Sequence, residues 1–141
     1  MSTPREQFLA GERHDDILIF LHEAAVGAPD ALASVAESVN DGVVLVLPGE
    51  QGSETFERAV GIDPMDFAGQ AMDTEGDVDR DCTGGTCPAG EGPDHRVKFI
   101  FAFSEAQNED VGGLYAEGDV VHAYAACDCG TTYSDKWVVD A

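Results

Sequence analysis

Two short apolar runs, at residues 17–21 and 43–47, constrain the fold more than any other feature of the sequence. Each contains five consecutive aliphatic or aromatic residues, far fewer than the roughly 20 that a membrane-spanning helix needs. A short continuous apolar run is typical of a strand that is buried on both faces. The sequence therefore predicts a sheet in which other elements cover both of these strands.

The segment between the two runs favours a helix. Pro29 begins a stretch in which Leu32, Val35, Ala36 and Val39 recur with helical spacing. A strand, a crossover helix and a second strand form a βαβ unit, in which the two strands are parallel. In the alternative interpretation, residues 17–26 form a helix and only one strand precedes residue 73, which gives an α+β arrangement.

The remaining patterns complete a small single domain. A capping box at residues 3–6 predicts a short N-terminal helix, and two more helices are expected near residues 53–62 and 64–72. Three more strands are predicted at residues 97–103, 120–127 and 137–139. We therefore predict one α/β or α+β domain over residues 1–141. Its mixed five-stranded sheet would contain the N-terminal βαβ unit and be covered by helices.

The predicted strand at residues 97–103 has one strongly apolar face. Phe99, Phe101 and Phe103 alternate along it, so that their side chains point to the same side. If this strand lay at an edge of the sheet with its phenylalanines uncovered, the row would form the surface of a homodimer.

Residues 73–94 differ in composition from the rest of the chain. They include seven acidic residues and five glycines, and Val78 is the one branched aliphatic residue among them. Such a segment has too little apolar surface to form a core of its own. We predict that it is an exposed, acidic, glycine-rich insertion in the domain.

The charge of the chain is extreme. There are 28 acidic residues against 7 lysines and arginines, which gives a formal net charge of −21. This charge repels nucleic acid and anionic membranes, so neither is an expected partner. Dispersed acidic residues and the presence of only two lysines, Lys98 and Lys136, favour adaptation to molar salt, where a Debye length of about 3 Å screens self-repulsion.

The N-terminal segment predicts a cytoplasmic location, because acidic residues before the first apolar run are unlike a signal peptide.

Four cysteines are the best candidates for a functional site. Cys82 and Cys87 form a C-x4-C pair inside the acidic insertion, and Cys127 and Cys129 form a C-x-C-G element at the end of a predicted strand. In a reducing cytoplasm, two such pairs favour metal binding over a disulfide framework. We predict that the four thiolates bind zinc tetrahedrally. A redox-active pair and unconnected thiols are the alternatives.

Histidine could replace one of these ligands. His95 lies eight residues after Cys87, and His122 lies five residues before Cys127. On a strand, His122 would share a face with Tyr124 and point away from Cys127, so we interpret it as an ordinary, partly buried histidine.

No motif in the sequence specifies a reaction. The chain contains neither a GxxxxGK[ST] phosphate loop nor a G-x-S-x-G nucleophile motif. A closed zinc site with four thiolates stabilises a fold and leaves no position for a substrate. The prediction is therefore a halophilic binding or adaptor module with a structural zinc ion and a protein partner of unknown identity, rather than an enzyme. The alternative is a thiol redox protein, or an open-site metalloenzyme that uses one cysteine pair with His122.

Four segments of the sequence carry a resemblance to a known group of proteins. They are VVLVLPGE at residues 43–50, FAGQAM at 67–72, GGLYAEGD at 112–119 and YSDKWVV at 133–139. With these segments the chain resembles an uncharacterised small-protein family of haloarchaea. The resemblance implies a halophilic archaeal cytoplasm and no assigned activity, and it assigns no functional residues.

Overall fold

The computed structural model describes residues 4–10, 15–22, 37–39, 42–79, 82, 84–90, 95, 97–105, 110, 116 and 118–138. Within these residues there are three helices: α1 (Pro4–Leu9), α2 (Gly49–Val60) and α3 (Pro64–Ala71). The same residues form eight strands: β1 (Asp16–His22), β2 (Glu37–Val39), β3 (Gly42–Pro48), β4 (Asp77–Val78), β5 (Gly85–Thr86), β6 (Val97–Glu105), β7 (Val120–Cys127) and β8 (Thr132–Val138).

Six of the strands form one sheet, in the order β2-β3-β1-β6-β7-β8. Every neighbouring pair in it is antiparallel, and β4 and β5 form a separate antiparallel pair. The molecule is therefore a single α+β domain that consists mostly of sheet, as the sequence predicted in outline. Among the described residues, no helix is long and apolar enough to cross a membrane.

The predicted βαβ unit is wrong, because β1 and β3 are antiparallel neighbours, with Asp16 opposite Pro48 and His22 opposite Gly42. The last three residues of the predicted helix at 29–39 form β2, which pairs with β3. Residues 29–36 lie outside the described residues. A continuous apolar run shows that a strand is buried on both faces, and it carries no information on the direction of the strand.

Local sequence features determine the end of α2 and the beginning of α3. Asp63 caps α3, since its carboxylate accepts hydrogen bonds from the backbone N–H groups of Met65 (2.9 Å) and Asp66 (3.2 Å). Helix α2 ends at Gly61, which has a left-handed φ of 76° and donates its N–H to the Glu57 carbonyl. The two helices are thereby placed in succession on one face of the sheet.

Helices α2 and α3 cover the central strands through aromatic contacts. The Phe56 ring lies 5.5 Å from Phe99 and 5.1 Å from Phe101, and the Phe67 ring lies 5.1 Å from Phe99. Strand β6 lies between β1 and β7, so it is not an edge strand and most of its phenylalanine row is buried. The condition for a dimer surface at this row, an uncovered edge strand, is therefore not met.

The opposite face of the sheet is also buried. Phe8 of α1 belongs to the buried cluster on that face, together with Leu18 and Phe20 of β1. The acidic segment at residues 73–94 contributes three buried side chains to the same core, those of Val78, Cys82 and Cys87. Its described acidic residues are exposed: Asp73, Glu75, Asp77 and Asp79. The segment thus covers the sheet with a few apolar side chains and presents its charge to solvent.

Backbone hydrogen bonds join the beginning of this segment to β8. Ser134 donates its N–H to the Thr74 carbonyl (2.9 Å) and accepts from the Gly76 N–H (3.0 Å). The Val78 N–H donates to the Asp135 carboxylate over 3.1 Å. These contacts hold β4 and β5 beside the end of the sheet where β7 meets β8.

Candidate metal centre

The turn between β7 and β8 supplies two sulfur atoms. Strand β7 ends at Cys127, whose carbonyl accepts the N–H of Gly130 (2.9 Å) and whose own N–H donates to the Thr131 carbonyl (2.8 Å). Gly130 has a φ of 95°, a conformation that other residues rarely adopt. The C-x-C-G spacing thus forms a tight turn that carries both Cys127 and Cys129.

The chain after β5 supplies the other two candidate ligands. The Cys87 sulfur accepts the backbone N–H of Ala89 (3.4 Å), and the Cys87 carbonyl accepts the N–H of Gly90 (3.3 Å). A Cβ atom on Gly90 would lie only 2.9 Å from Nε2 of His95. The glycine therefore leaves room for the imidazole of His95 beside the Cys87 turn.

Cys87, His95, Cys127 and Cys129 form one compact group. Each offers one ligand atom, and these four atoms all lie within 4.8 Å of one another. The sulfurs of Cys87 and Cys129 are 3.7 Å apart, and the Cys127 sulfur lies 3.9 Å from Nδ1 of His95. Tetrahedral zinc, with bonds of about 2.3 Å to sulfur and about 2.0 Å to nitrogen, places two sulfur ligands about 3.8 Å apart and a sulfur and a nitrogen ligand about 3.5 Å apart. The two measured separations are close to these values.

The cysteines are not joined by disulfide bonds. None of the four, which all lie in the described part of the chain, forms a disulfide bond. The 3.7 Å between the sulfurs of Cys87 and Cys129 is well beyond the roughly 2.05 Å of a disulfide. These two atoms are therefore as far apart as two ligands of one ion, and are not bonded to each other.

Three of the four predicted ligands come together, and Cys82 does not belong to this group. Cys82 is fully buried in the core that also contains Cys87 and Cys127, and its N–H donates to the Asp79 carbonyl (2.8 Å). His95 takes the fourth place in the group. The sequence signals for His95 are its position eight residues after Cys87 and the intervening Gly90.

His122 lies on the other face of β7. Its Nε2 atom is 3.1 Å from the Glu105 carboxylate, and its ring stacks on Phe103 at 5.0 Å. Burial lowers the pKa of His122, and the nearby Glu105 carboxylate offsets this effect only in part. His122 is partly buried, as predicted. The structure places it with Glu105 instead of with the cysteine pairs that the open-site alternative requires.

The two sulfurs of the β7–β8 turn differ in acidity. Burial raises the pKa of Cys127 to about 12, so this thiol keeps its proton at neutral pH. Hydrogen bonding with Thr131, whose hydroxyl oxygen lies 3.2 Å from the sulfur, lowers the pKa of Cys129 to about 6. A buried thiol gives up its proton when a cation binds it. The site therefore offers one exposed thiolate and one buried thiol that a metal ion would deprotonate.

A comparison with protein families assigns most of this chain to one family. The profile of DUF5807, described as a family of unknown function, matches residues 36–140, about three quarters of the chain. The chain belongs to the DUF5807 family. All four members of the candidate metal centre lie inside the DUF5807 region, whereas α1 and β1 precede it. No curated protein and no solved structure matches the chain.

A cavity of about 880 Å³ lies near the candidate metal centre. Phe103, His122, Tyr124 and Lys136 line it from strands β6, β7 and β8, and Cys87 also contributes to the lining. In the sheet, Phe103 lies opposite His122, and His122 lies opposite Lys136. The cavity therefore combines two aromatic rings with a histidine and a lysine.

Acidic side chains outnumber basic ones around this cavity. Glu75, Asp77, Glu105 and Asp135 line it together with Lys136, and the lowered pKa of His122 keeps that imidazole neutral at pH 7. The charge of the lining is therefore negative, which disfavours phosphates and other anions as ligands.

Proposed function

We propose that Cys87, His95, Cys127 and Cys129 bind a structural zinc ion. The observation that carries this proposal is the 3.7 Å separation of the Cys87 and Cys129 sulfurs within a group of four N and S ligand atoms. Zinc bound by four such ligands has no open coordination position, so the site would stabilise the fold rather than catalyse a reaction. The ion would join the chain after β5 to the turn between β7 and β8.

Metal analysis of single-residue variants tests this ligand set. The wild-type protein, prepared at molar salt, is expected to contain one zinc ion per chain and to show protected thiols that a chelator exposes. Substitution H95A should abolish stoichiometric zinc, since it removes a ligand. Substitution C82A is the matched control and should retain zinc, because Cys82 lies outside the group.

The reverse outcome separates the two candidate ligand sets. Zinc lost from C82A and retained by H95A would support the four-cysteine site and refute the Cys87, His95, Cys127 and Cys129 set. Freely reactive thiols in the untreated wild type would refute zinc binding altogether. Thiols released by a reductant, and not by a chelator, would favour the thiol redox alternative.

We further propose that the domain is a binding module whose ligand site is the cavity beside His122. The negative lining favours a small organic cation that pairs with Glu105 and contacts the rings of Phe103 and Tyr124. Spermidine is a suitable probe, and the ring resonances of the two aromatic residues should shift on titration. The cavity does not require an open metal site, so a structural zinc ion and a ligand site can coexist in one domain.

A pair of charge-neutralising variants tests the location of this binding. Substitution E105Q removes a lining carboxylate and should weaken spermidine binding severalfold. Substitution E54Q removes an exposed carboxylate of α2 that does not line the cavity, and it should leave the affinity unchanged. Equal effects of both substitutions would show general attraction to a chain of charge −21 and would refute a specific site.

We also propose that the protein works at molar salt in a cytoplasm. Support comes from the dispersed acidic residues and the presence of only two lysines, a composition that gives strong self-repulsion unless salt screens it. Exposed acids such as Asp73, Glu75 and Asp77 cover the segment that packs on the sheet. The dependence of stability on salt, taken up in the Discussion, tests this proposal.

A further inference from the structure

The most exposed large apolar side chains of the described residues are grouped around helix α3. Met65 is 62% exposed, Met72 is 64% exposed and Ile62 is 38% exposed. All three lie within a stretch of 11 residues. Single exposed apolar residues are ordinary, whereas a group of them on a protein surface marks an interaction site. We therefore asked what this surface can bind.

The two methionines form one stripe along α3. Met65 and Met72 are seven positions apart, which places them on the same face of a helix. Met72 directly follows α3 and keeps helical backbone angles (φ −61°, ψ −23°). Gly69 lies between the methionines on this face, and a Cβ atom there would meet nothing beyond the backbone of its own helix within 4 Å. The stripe is therefore open to a partner along its length.

The methionine stripe leads into the cavity beside His122. Met72 lines this cavity together with Phe103 and Glu105, whereas Met65 lies outside the lining. One end of the stripe is therefore part of the cavity wall. A partner that lies on the methionines can extend a side chain past Met72 into the cavity, so the stripe and the cavity can act as one binding surface.

The charge around the stripe selects the kind of partner. Residues 62–79 contain six acidic residues and no lysine, arginine or histidine. Asp66 and Asp73, each next to one of the methionines in the sequence, are exposed. A complementary partner needs apolar side chains for the methionines and basic side chains for the carboxylates, and a basic amphipathic helix presents both. Methionine is common on surfaces that bind such helices, because its side chain is flexible and polarizable.

A second copy of this chain fits the stripe less well than a basic helix does. A symmetric dimer contact would bring the same acidic residues of both copies close together. The three exposed apolar side chains also present much less area than the roughly 800 Å² per partner that a stable interface buries. A helix that inserts one side chain into the cavity gains further buried area there.

We propose that α3 and the cavity together bind a basic amphipathic helix of a partner protein. The apolar face of this helix would lie on Met65 and Met72. One of its lysines or arginines would enter the cavity, pair with Glu105 and contact the aromatic rings there. The inference rests on the proposed cavity site and identifies its organic cation as a side chain of the partner. At molar salt, a charge pair inside the cavity is screened much less than exposed pairs are.

Two short synthetic peptides test the proposal by calorimetry at molar salt. One has leucines at helical spacing and lysines on the other face, and its counterpart has glutamates in place of the lysines. The leucine–lysine peptide should bind, and the leucine–glutamate peptide should not. The chain has only three methionines, so their methyl resonances are easily followed. The leucine–lysine peptide should shift the resonances of Met65 and Met72, whereas spermidine should shift that of Met72 alone.

Substitution M65Q separates the stripe from the cavity, because Met65 is exposed and does not line the cavity. It should weaken binding of the leucine–lysine peptide about five- to tenfold through the loss of apolar contact, and it should leave spermidine binding unchanged. Substitution M65L keeps an apolar side chain and is the matched control, with the affinity of the wild type for the peptide. Substitution E105Q should weaken both ligands severalfold, since each places a cation beside Glu105.

Several outcomes would overturn the inference. Unchanged peptide affinity in M65Q, or equal binding of the two peptides, would refute the partner helix and leave the cavity site intact. Peptide binding that E105Q does not weaken would show that no basic side chain enters the cavity. A dimer in sedimentation analysis that M65Q dissociates would assign the stripe to a second copy of the chain. A wild type that binds neither spermidine nor the leucine–lysine peptide would refute the cavity site itself and, with it, the partner helix.

Discussion

Removal of the proposed zinc ion by a chelator should lower the melting temperature by about 12 °C. The ion would join Cys87 to Cys129, which are 42 positions apart in the chain. Because a zinc ion binds the folded chain and leaves on unfolding, it stabilises the folded state by about 4 kcal/mol when free zinc exceeds the dissociation constant about 1,000-fold. A domain of this size is expected to lose about 3 °C of melting temperature for each kcal/mol.

The assay is thermal unfolding followed by circular dichroism at constant molar salt, with and without an excess of EDTA. The zinc content of each sample is measured before the scan. Substitution C129S removes one exposed ligand, so this variant should unfold near the temperature of the chelated wild type and should not respond to EDTA. Substitution C82A creates a small cavity, but its melting temperature should still fall when EDTA is added.

Two results would refute this reasoning. A wild type that contains one zinc ion per chain and melts at the same temperature after chelation would show that the ion does not link the two segments in the folded state. A C129S variant that still responds to EDTA would show that Cys129 is not a ligand. In that case, the 3.7 Å approach of the two sulfurs would have no role in metal binding.

Further predictions concern salt, pH and the core. The melting temperature should fall as salt is lowered from molar to millimolar, because self-repulsion at a charge of −21 is no longer screened; an unchanged value would exclude halophilic adaptation. The lowered pKa of His122 means that the unfolded chain binds a proton at this residue more readily than the folded chain does. The contribution of His122 to the free energy of unfolding should therefore be fully present above the ordinary pKa of about 6.5 and be lost as the pH falls below it. Urea titrations from pH 5 to 8 should show this loss in the wild type and a weaker one in H122Q; identical pH profiles would contradict the assignment. Substitution F56A should cost about 3 to 5 kcal/mol in urea denaturation, because it leaves a cavity among Phe67, Phe99 and Phe101; a loss below about 1 kcal/mol would show that the helices pack loosely.

The positions of the central strands could be predicted from the sequence, but their direction could not. Residues 17–21 and 43–47 lie in β1 and β3, as their apolar runs indicated. An apolar run indicates that both faces of a strand are buried, and such burial is possible in parallel and in antiparallel pairs. Strand β3 is antiparallel to both β1 and β2. Gly42 permits the close approach to β1, since a Cβ atom there would collide with the carbonyl oxygen of Leu21.

Strand β8 is a second element that the hydrophobic pattern of the sequence predicts incompletely. The sequence predicts a strand from residue 137, yet β8 begins at Thr132. Polar residues fit this strand because it is the last of the sheet. Asp135 also accepts the Val78 N–H of β4. Edge strands tolerate polar side chains, so their hydrophobic pattern is weak.

The candidate metal centre could be predicted in part. The paired cysteines indicated a metal site, and three of them, Cys87, Cys127 and Cys129, lie together. The choice between Cys82 and His95 depends on the path of the chain around Cys87. The spacing of the residues in the sequence does not predict that path. Cys82 has a left-handed φ of 58° and lies in the core, whereas the imidazole of His95 lies beside Gly90.

The position of β1 has a consequence for synthesis of the chain. Strand β1 lies between β3 and β6, and Ile17 pairs with both Leu47 and Phe103. At about 5 to 20 residues per second, roughly 4 to 17 s pass between the synthesis of β1 and that of the end of β6. During this interval one hydrogen-bonding edge of β1 has no native neighbour. The nascent chain therefore carries a temporarily unpaired apolar strand, and its sheet can close only after most of the domain has been made.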